Sequence, residues 1–132
     1  MPVLLDTDVA IELLRKNPQC LARLSRTEGR VFISSVTAAE LYFGAFNSAH
    51  SSENVNIVEE FLADFQCLQP TNGVAKTFGS VKAELRRKSI QVGPFDLLIA
   101  SIALENECSL ATGNTKHFRH IPGLQLDDWI RE

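Results

Sequence analysis

Apolar positions along the chain fall into two kinds of run, and the two kinds alternate. Val3-Leu4-Leu5 and Val31-Phe32-Ile33 are uncharged and too short for a helix, the pattern of parallel strands buried on both faces. Cys108-Ser109-Leu110-Ala111-Thr112 is a third such run, Cys67-Leu68 a weak one, and Gln125-Leu126 an expected edge strand. Between them, helical spacing of apolar residues predicts helices over 9–16, 18–26, 36–47, 55–65, 71–89 and 94–106, with a short one around 116–118. Their ends carry the expected punctuation. Asn17 precedes Pro18, a pairing that disfavours a continued helix. Ser34 or Ser35 can cap the third helix, a polar joint over 48–53 follows it, and Pro94 suits the first position of the last long helix. Strands and helices in alternation predict an α/β fold, a parallel sheet covered on both faces. With no linker, repeat or low-complexity stretch, residues 1–132 are expected to form one domain.

Composition is ordinary for a globular protein, with 45% hydrophobic and 22% charged residues. No apolar run approaches the roughly 18 residues of a membrane helix, and Asp6 and Asp8 interrupt the N-terminal apolar segment where a signal peptide has none. A cytoplasmic location is therefore expected. Cys20, Cys67 and Cys108 are far apart and form no Cys-x-x-Cys pair, so they read as buried free thiols rather than zinc ligands or disulfides. A net charge of −3 offers no global attraction for nucleic acid, so binding of that kind must rest on a local patch or on metal ions.

The informative residues are acids inside apolar segments. From Val36 to Phe46 only Thr37 and Glu40 are polar, and at helical spacing Glu40 has Val36, Ala39, Phe43 and Gly44 beside it. Glu40 is thus expected on a buried face, where a lone carboxylate costs several kcal/mol unless paired or bound to metal. Asp96 is the only charge between Pro94 and Leu104, in the first turn of its helix, and Asp6 stands at the tip of the first strand. Simpler readings exist for each. Asp6 or Asp8 suits a helix cap, Asp96 favours its helix dipole, and Glu40 suits a buried ion pair with an arginine. Three acids with no comparably placed Lys or Arg would repel one another, and a divalent cation resolves that repulsion. Ligands that are all oxygen favour Mg²⁺ or Mn²⁺ over zinc.

Taken in order, these segments resemble the PIN-domain nucleases, and most closely the VapC toxins of bacterial and archaeal toxin–antitoxin pairs. The resemblance rests on Leu5-Asp6-Thr7-Asp8, Ala39-Glu40-Leu41, Asp96 followed by Leu97-Leu98-Ile99-Ala100, Ala111-Thr112-Gly113-Asn114 with Phe118, and Ile121-Pro122-Gly123-Leu124 leading to Trp129. It implies a three-layer α/β/α PIN-like domain with acids at the C-terminal edge of a central parallel sheet, and a metal-dependent endoribonuclease acting as the toxin of a VapBC-like pair. Asp6, Glu40 and Asp96 match the family's acidic positions, with Asp6 and Asp96 as principal metal ligands and Glu40 completing the shell or orienting the nucleophilic water. The fourth position, often Asp, is Asn114 here, an uncharged amide that can hold a water or the phosphate. Thr7 and Thr112 are supporting hydroxyls. The resemblance further implies an RNA substrate with exposed loops, a small VapB-like antitoxin covering the site, and a homodimer, for which Ile57, Phe61, Leu62 and Phe65 are candidates alongside their default place in the core.

Arg15, Lys16, Lys116 and Arg119 follow strand-tip segments and are candidate RNA contacts at the rim of the site. Arg86-Arg87-Lys88 reads first as a solvated helix end and second as an RNA contact. His117 and His120 admit a metal-free, two-histidine ribonuclease, but neither lies among the acids in sequence and both read as solvated loop residues. Two other classes remain. One is a non-catalytic acidic module resembling a receiver domain, which needs a phosphoacceptor Asp that Val31-Phe32-Ile33-Ser34 does not provide. The other is a PIN-like protein that has lost activity and only binds a partner, a reading that Asn114 permits.

Overall fold

The computed structural model describes residues 1–131. In chain order it contains β1 (Val3–Leu5), α1 (Thr7–Leu14), α2 (Pro18–Arg26), β2 (Val31–Ser34), α3 (Ser35–Phe46), α4 (Ser51–Ala63), β3 (Gln66–Leu68), α5 (Asn72–Arg87), α6 (Pro94–Glu105), β4 (Ser109–Ala111), α7 (Thr115–Phe118) and β5 (Leu126–Asp127). The five strands pair in the order β3-β2-β1-β4-β5, all parallel. β1 is central: Leu4 faces Phe32 on one side and Leu110 on the other.

Side chains of a strand alternate between the two faces of the sheet, and both faces here are covered. Leu4, Phe32 and Leu110 pack with Val74, Leu85, Ile99 and Ile102 beneath α5 and α6. Val3, Leu5 and Ala111 face the other way, onto Val9, Leu13, Cys20 and Trp129 of α1, α2 and the C-terminal segment. Ile33 joins Ala10, Leu41 and Val58 under α3 and α4. The result is the three-layer arrangement expected from the sequence.

Several boundaries move for local reasons. α1 begins at Thr7, because Asp6 itself caps it by accepting the Thr7 N–H at 2.8 Å. α4 starts at Ser51, within the stretch read as a polar joint, with Glu53 in its first turn favouring the helix dipole. α5 stops at Arg87, before Ser89 turns to a φ of 58°. Cys20 and Cys108 are buried, but Cys67 is exposed, against expectation, because β3 is an edge strand with one flank uncovered. Among the described residues no helix is long and apolar enough to cross a membrane.

Candidate active site

In a parallel sheet, ligands bind outside the C-terminal strand ends at the point where strand order reverses. Here the chain runs from β1 outward through β2 to β3, then returns to the other side of β1 for β4 and β5, so the reversal falls between β1 and β4. Asp6 follows β1 there, and Thr112 follows β4.

Asp6 is 5% exposed. One carboxylate oxygen accepts from the Thr7 N–H and the other from the Thr112 hydroxyl, both at 2.8 Å. The same Thr112 oxygen accepts from the Asn114 N–H at 3.0 Å, so the β4–α7 turn and the carboxylate are held by one hydroxyl. Burial, and then the charges of Asp8 and Asp96, push the Asp6 carboxyl up to about 7, against the lowering effect of its two hydrogen bonds. Asp8 lies two residues on, in the first turn of α1, its oxygens accepting from Val9 N–H at 2.7 Å and Gly113 N–H at 2.9 Å. Burial raises its carboxyl as well, with Asp128 adding to the effect. Gly113 is required for that closeness: a Cβ there would lie 2.6 Å from Ile130 Cδ1 and 3.1 Å from Asp8 Oδ2.

Glu40 is set by hydroxyls. Thr7 Oγ1 donates to Glu40 Oε1 at 2.6 Å and lies 2.9 Å from Thr37 Oγ1. With its one proton given to Glu40, Thr7 must accept from Thr37, making a relay Thr37→Thr7→Glu40 that ties α3 to α1. The expectation that Glu40 occupies a buried face needs correction. Thr37, Leu41 and Ala45 take the core face of α3, while the arc of Ala39, Phe43 and Gly44 is exposed, Phe43 by 69%. A helix apolar on nearly every side has more apolar surface than one core contact can cover. Val36, Ala39, Glu40 and Phe43 instead line an open trough with Thr7, Phe95 and Leu98.

Asp96 sits in the first turn of α6 and is 3.0 Å from His117 Nε2, each side chain about one third exposed. This overturns the reading of His117 as a solvated loop residue. The short helix α7 is anchored by buried Phe118, and burying one neighbour turns the other toward Asp96. His120 is exposed beside Arg119, whose Nε lies 3.4 Å from its ring.

The remaining candidates divide. Asn114 is exposed at the start of α7, bound to the site through its backbone N–H. Lys116 and Arg119 are exposed on either side of His117. Arg15 ends α1, pairs with Glu12 at 3.2 Å and borders a pocket shared with Glu40. Lys16 is exposed just beyond it, past an eight-residue helix that rises about 12 Å from its Asp6 cap. Ile57 is 51% exposed, whereas Phe61, Leu62 and Phe65 are partly buried against the core. Thr37, Gly113 and His117 are the residues that sequence reasoning left without a role. Thr37 did carry a signal, as the only polar residue besides Glu40 in its segment. His117 was weighed only as half of a two-histidine site, and nothing in the sequence pointed to its contact with Asp96.

Among the described residues no three carboxylate, imidazole or thiol groups stand close enough together to hold a metal ion, and only His117 forms an ion pair with any of Asp6, Glu40 and Asp96. The donors still fit a hard divalent ion. Asp6 is a buried carboxylate with no cation on it, each of its oxygens accepting one hydrogen bond, and with two further acids acting on it through space.

A model of the PIN domain family matches residues 3–124. The tRNA(fMet)-specific endonuclease VapC of Shigella flexneri is 34% identical over 127 residues, covering 96% of each chain. Ribonuclease VapC2 of Haemophilus influenzae is 31% identical over 128 residues, 96% of this chain and 97% of that protein. Among solved structures, DNA-bound VapBC from Salmonella typhimurium matches with a TM-score of 0.93 at 33% identity, covering 98% of both chains. A buried acid at the reversal point of a five-stranded parallel sheet, and these likenesses over almost the whole length, place the chain in the PIN-domain family, alongside the VapC ribonucleases.

Proposed function

We propose that the chain is a metal-dependent endoribonuclease, the toxin of a VapBC-like toxin–antitoxin pair. The observation that carries this reading is Asp6: a carboxylate buried at the sheet's reversal point, hydrogen-bonded on both oxygens and, among the described residues, in no ion pair. A structural acid in that place calls for an arginine or lysine partner.

Family membership implies use of a divalent metal, and Mg²⁺ or Mn²⁺ suits these oxygen donors. Asp6 and Asp96 are its principal ligands, with Glu40 a third or the group that orients the attacking water. When bound, the ion supplies Lewis acidity toward the phosphodiester and lowers the pKa of a coordinated water. The chain's own residues do the positioning. Thr112 and the Thr7 N–H fix the Asp6 carboxylate, the Thr37–Thr7 relay fixes Glu40, and His117 fixes Asp96. Asn114, exposed at the same turn, holds a water or the scissile phosphate.

RNA with exposed loops is the substrate class, since unstacked bases are those a protein reads in RNA; Lys116 and Arg119 are backbone contacts beside the site. A VapB-like antitoxin covers the site by lying in the apolar trough of Val36, Ala39, Phe43, Phe95 and Leu98. A homodimer and a cytoplasmic location complete the reading.

Expression of the wild-type chain without an antitoxin is expected to arrest growth, and purified protein to cut RNA until a chelator is added. Asp6→Asn and Asp96→Asn are each expected to relieve arrest and abolish cleavage. Full toxicity in both variants, or cleavage that persists in chelator, sinks the proposal.

A further inference from the structure

Beside His117 opens a second cleft, of about 1040 Å³, between the C-terminal half of α5, the loop over 89–93 and the start of α6. Lys82 and Arg86 of α5 line one wall, Ser89, Gln91 and Gly93 the rim, and His117 the end that meets Asp96. Among the described residues no carboxylate lines it. Lys82 and Arg86 are one helical turn apart, about 6 Å between Cβ atoms, and both are exposed. Neither forms an ion pair among the described residues, whereas Lys88 on the same helix pairs with Glu84 at 3.8 Å. In a chain of net charge −3, an acid-free cleft with two unneutralised cations, ending at one of the site's acids, is a local reversal of sign.

We infer that this cleft is the track along which one arm of the RNA substrate leaves the scissile phosphate, with Lys82 and Arg86 each neutralising a backbone phosphate. The inference rests on the ribonuclease reading and adds a strand path to it. Polynucleotide fits better than an acidic protein segment for two reasons. The cations repeat at a spacing comparable with that of successive phosphates along a strand, and the cleft runs directly into the proposed cleavage site. Contacts of Lys82 and Arg86 with backbone phosphates contribute affinity without sequence preference.

Salt dependence of binding tests this, because each phosphate contact removed lowers the slope of log K against log salt by about 0.7 for a single strand. Binding of a short fluorescent single-stranded RNA of mixed sequence is measured in chelator by anisotropy, for the wild type, Lys82→Ala/Arg86→Ala and Lys88→Ala. The double variant is expected to lose about 1.4 in slope and at least about tenfold in affinity at moderate salt. Lys88→Ala is expected to match the wild type, and Lys82→Arg/Arg86→Lys to keep the wild-type slope. With Mg²⁺ present, the double variant should raise KM and leave kcat unchanged.

An unchanged slope and KM in a double variant of a wild type that does cut RNA overturns the track alone. A wild type that neither binds nor cuts RNA overturns the ribonuclease reading with it. Loss of antitoxin binding with RNA binding intact assigns the cleft to protein and also overturns the track.

Discussion

Asp6 is the residue where chemistry and stability oppose each other. Its unfolded carboxyl titrates near 3.8 and its folded one near 7. Between those values the folded chain keeps a proton that the unfolded chain has released. The stability that Asp6 contributes in the absence of metal is therefore fully present below about pH 4 and is lost as pH rises through about 7, on the order of 4 kcal/mol when complete. Asp8, raised by burial in the same direction, adds to the slope. Thermal melts in chelator between about pH 4 and pH 8 should show this decline, and Asp6→Asn should flatten it and melt higher than wild type at the alkaline end. An identical slope in the variant would remove Asp6 as its source. Thr112 acts on the same equilibrium, because its hydroxyl favours the ionised carboxylate. Thr112→Val should move the acidic limb of the cleavage pH profile to higher pH and lower stability by about 1–2 kcal/mol. Acids such as Asp6, Glu40 and Asp96 were legible in the sequence because each stands alone among apolar neighbours. His117 was not, since its meeting with Asp96 depends on how α7 lies against α6.

At the scale of elements, the site is assembled from ends. β1 and β4 stop side by side, so the residues just beyond them, Asp6 and Thr112, must meet. The turn after β4 is then pressed against Asp8 and Ile130, leaving no room at position 113 for a side chain. Gly113→Ala should destabilise the protein by about 1–3 kcal/mol, the usual range for overpacking, and reduce cleavage by displacing Asn114 and His117. Chemical denaturation and a cleavage assay check the two effects; a fully stable, fully active variant would show that the turn yields freely. Helix ends were partly legible. Pro18 and Pro94 mark their N-termini because proline is tolerated at that position. The start of α4 at Ser51 was not, because its first turn is polar and the apolar period begins only later.

For the molecule as a whole, a divalent ion should replace the proton that Asp6 holds. Mg²⁺ binding the folded state alone raises stability by mass action. The melting temperature of wild type above about pH 7 should climb with Mg²⁺ concentration, and that of Asp6→Asn should not; equal responses would place the ion elsewhere. The exposed aromatic rim of the trough, Phe43 at 69% and Phe95 at 60%, leaves apolar area for a partner to cover. Phe43→Asp should leave cleavage by the free protein intact and weaken neutralisation by the antitoxin, read as growth arrest that the antitoxin no longer reverses. Restored growth with the variant would exclude Phe43 from that contact.

Sequence alone determined the order of strands and helices, the parallel sheet and the three acids. Strands buried on both faces must be uncharged runs, and an acid among apolar residues is conspicuous wherever the chain goes. It did not decide which side of an apolar helix faces out. Val36, Phe43 and Leu41 are equivalent in pattern, and only the packing of α3 against α1 and α4 buries Leu41 while leaving Phe43 in the trough. Nor did it decide which residues far apart in the chain meet: Thr37 with Thr7 and Glu40, His117 with Asp96, and His117 at the end of the cleft that Lys82 and Arg86 line. Those contacts depend on the positions of whole elements, which are set by the burial of other residues.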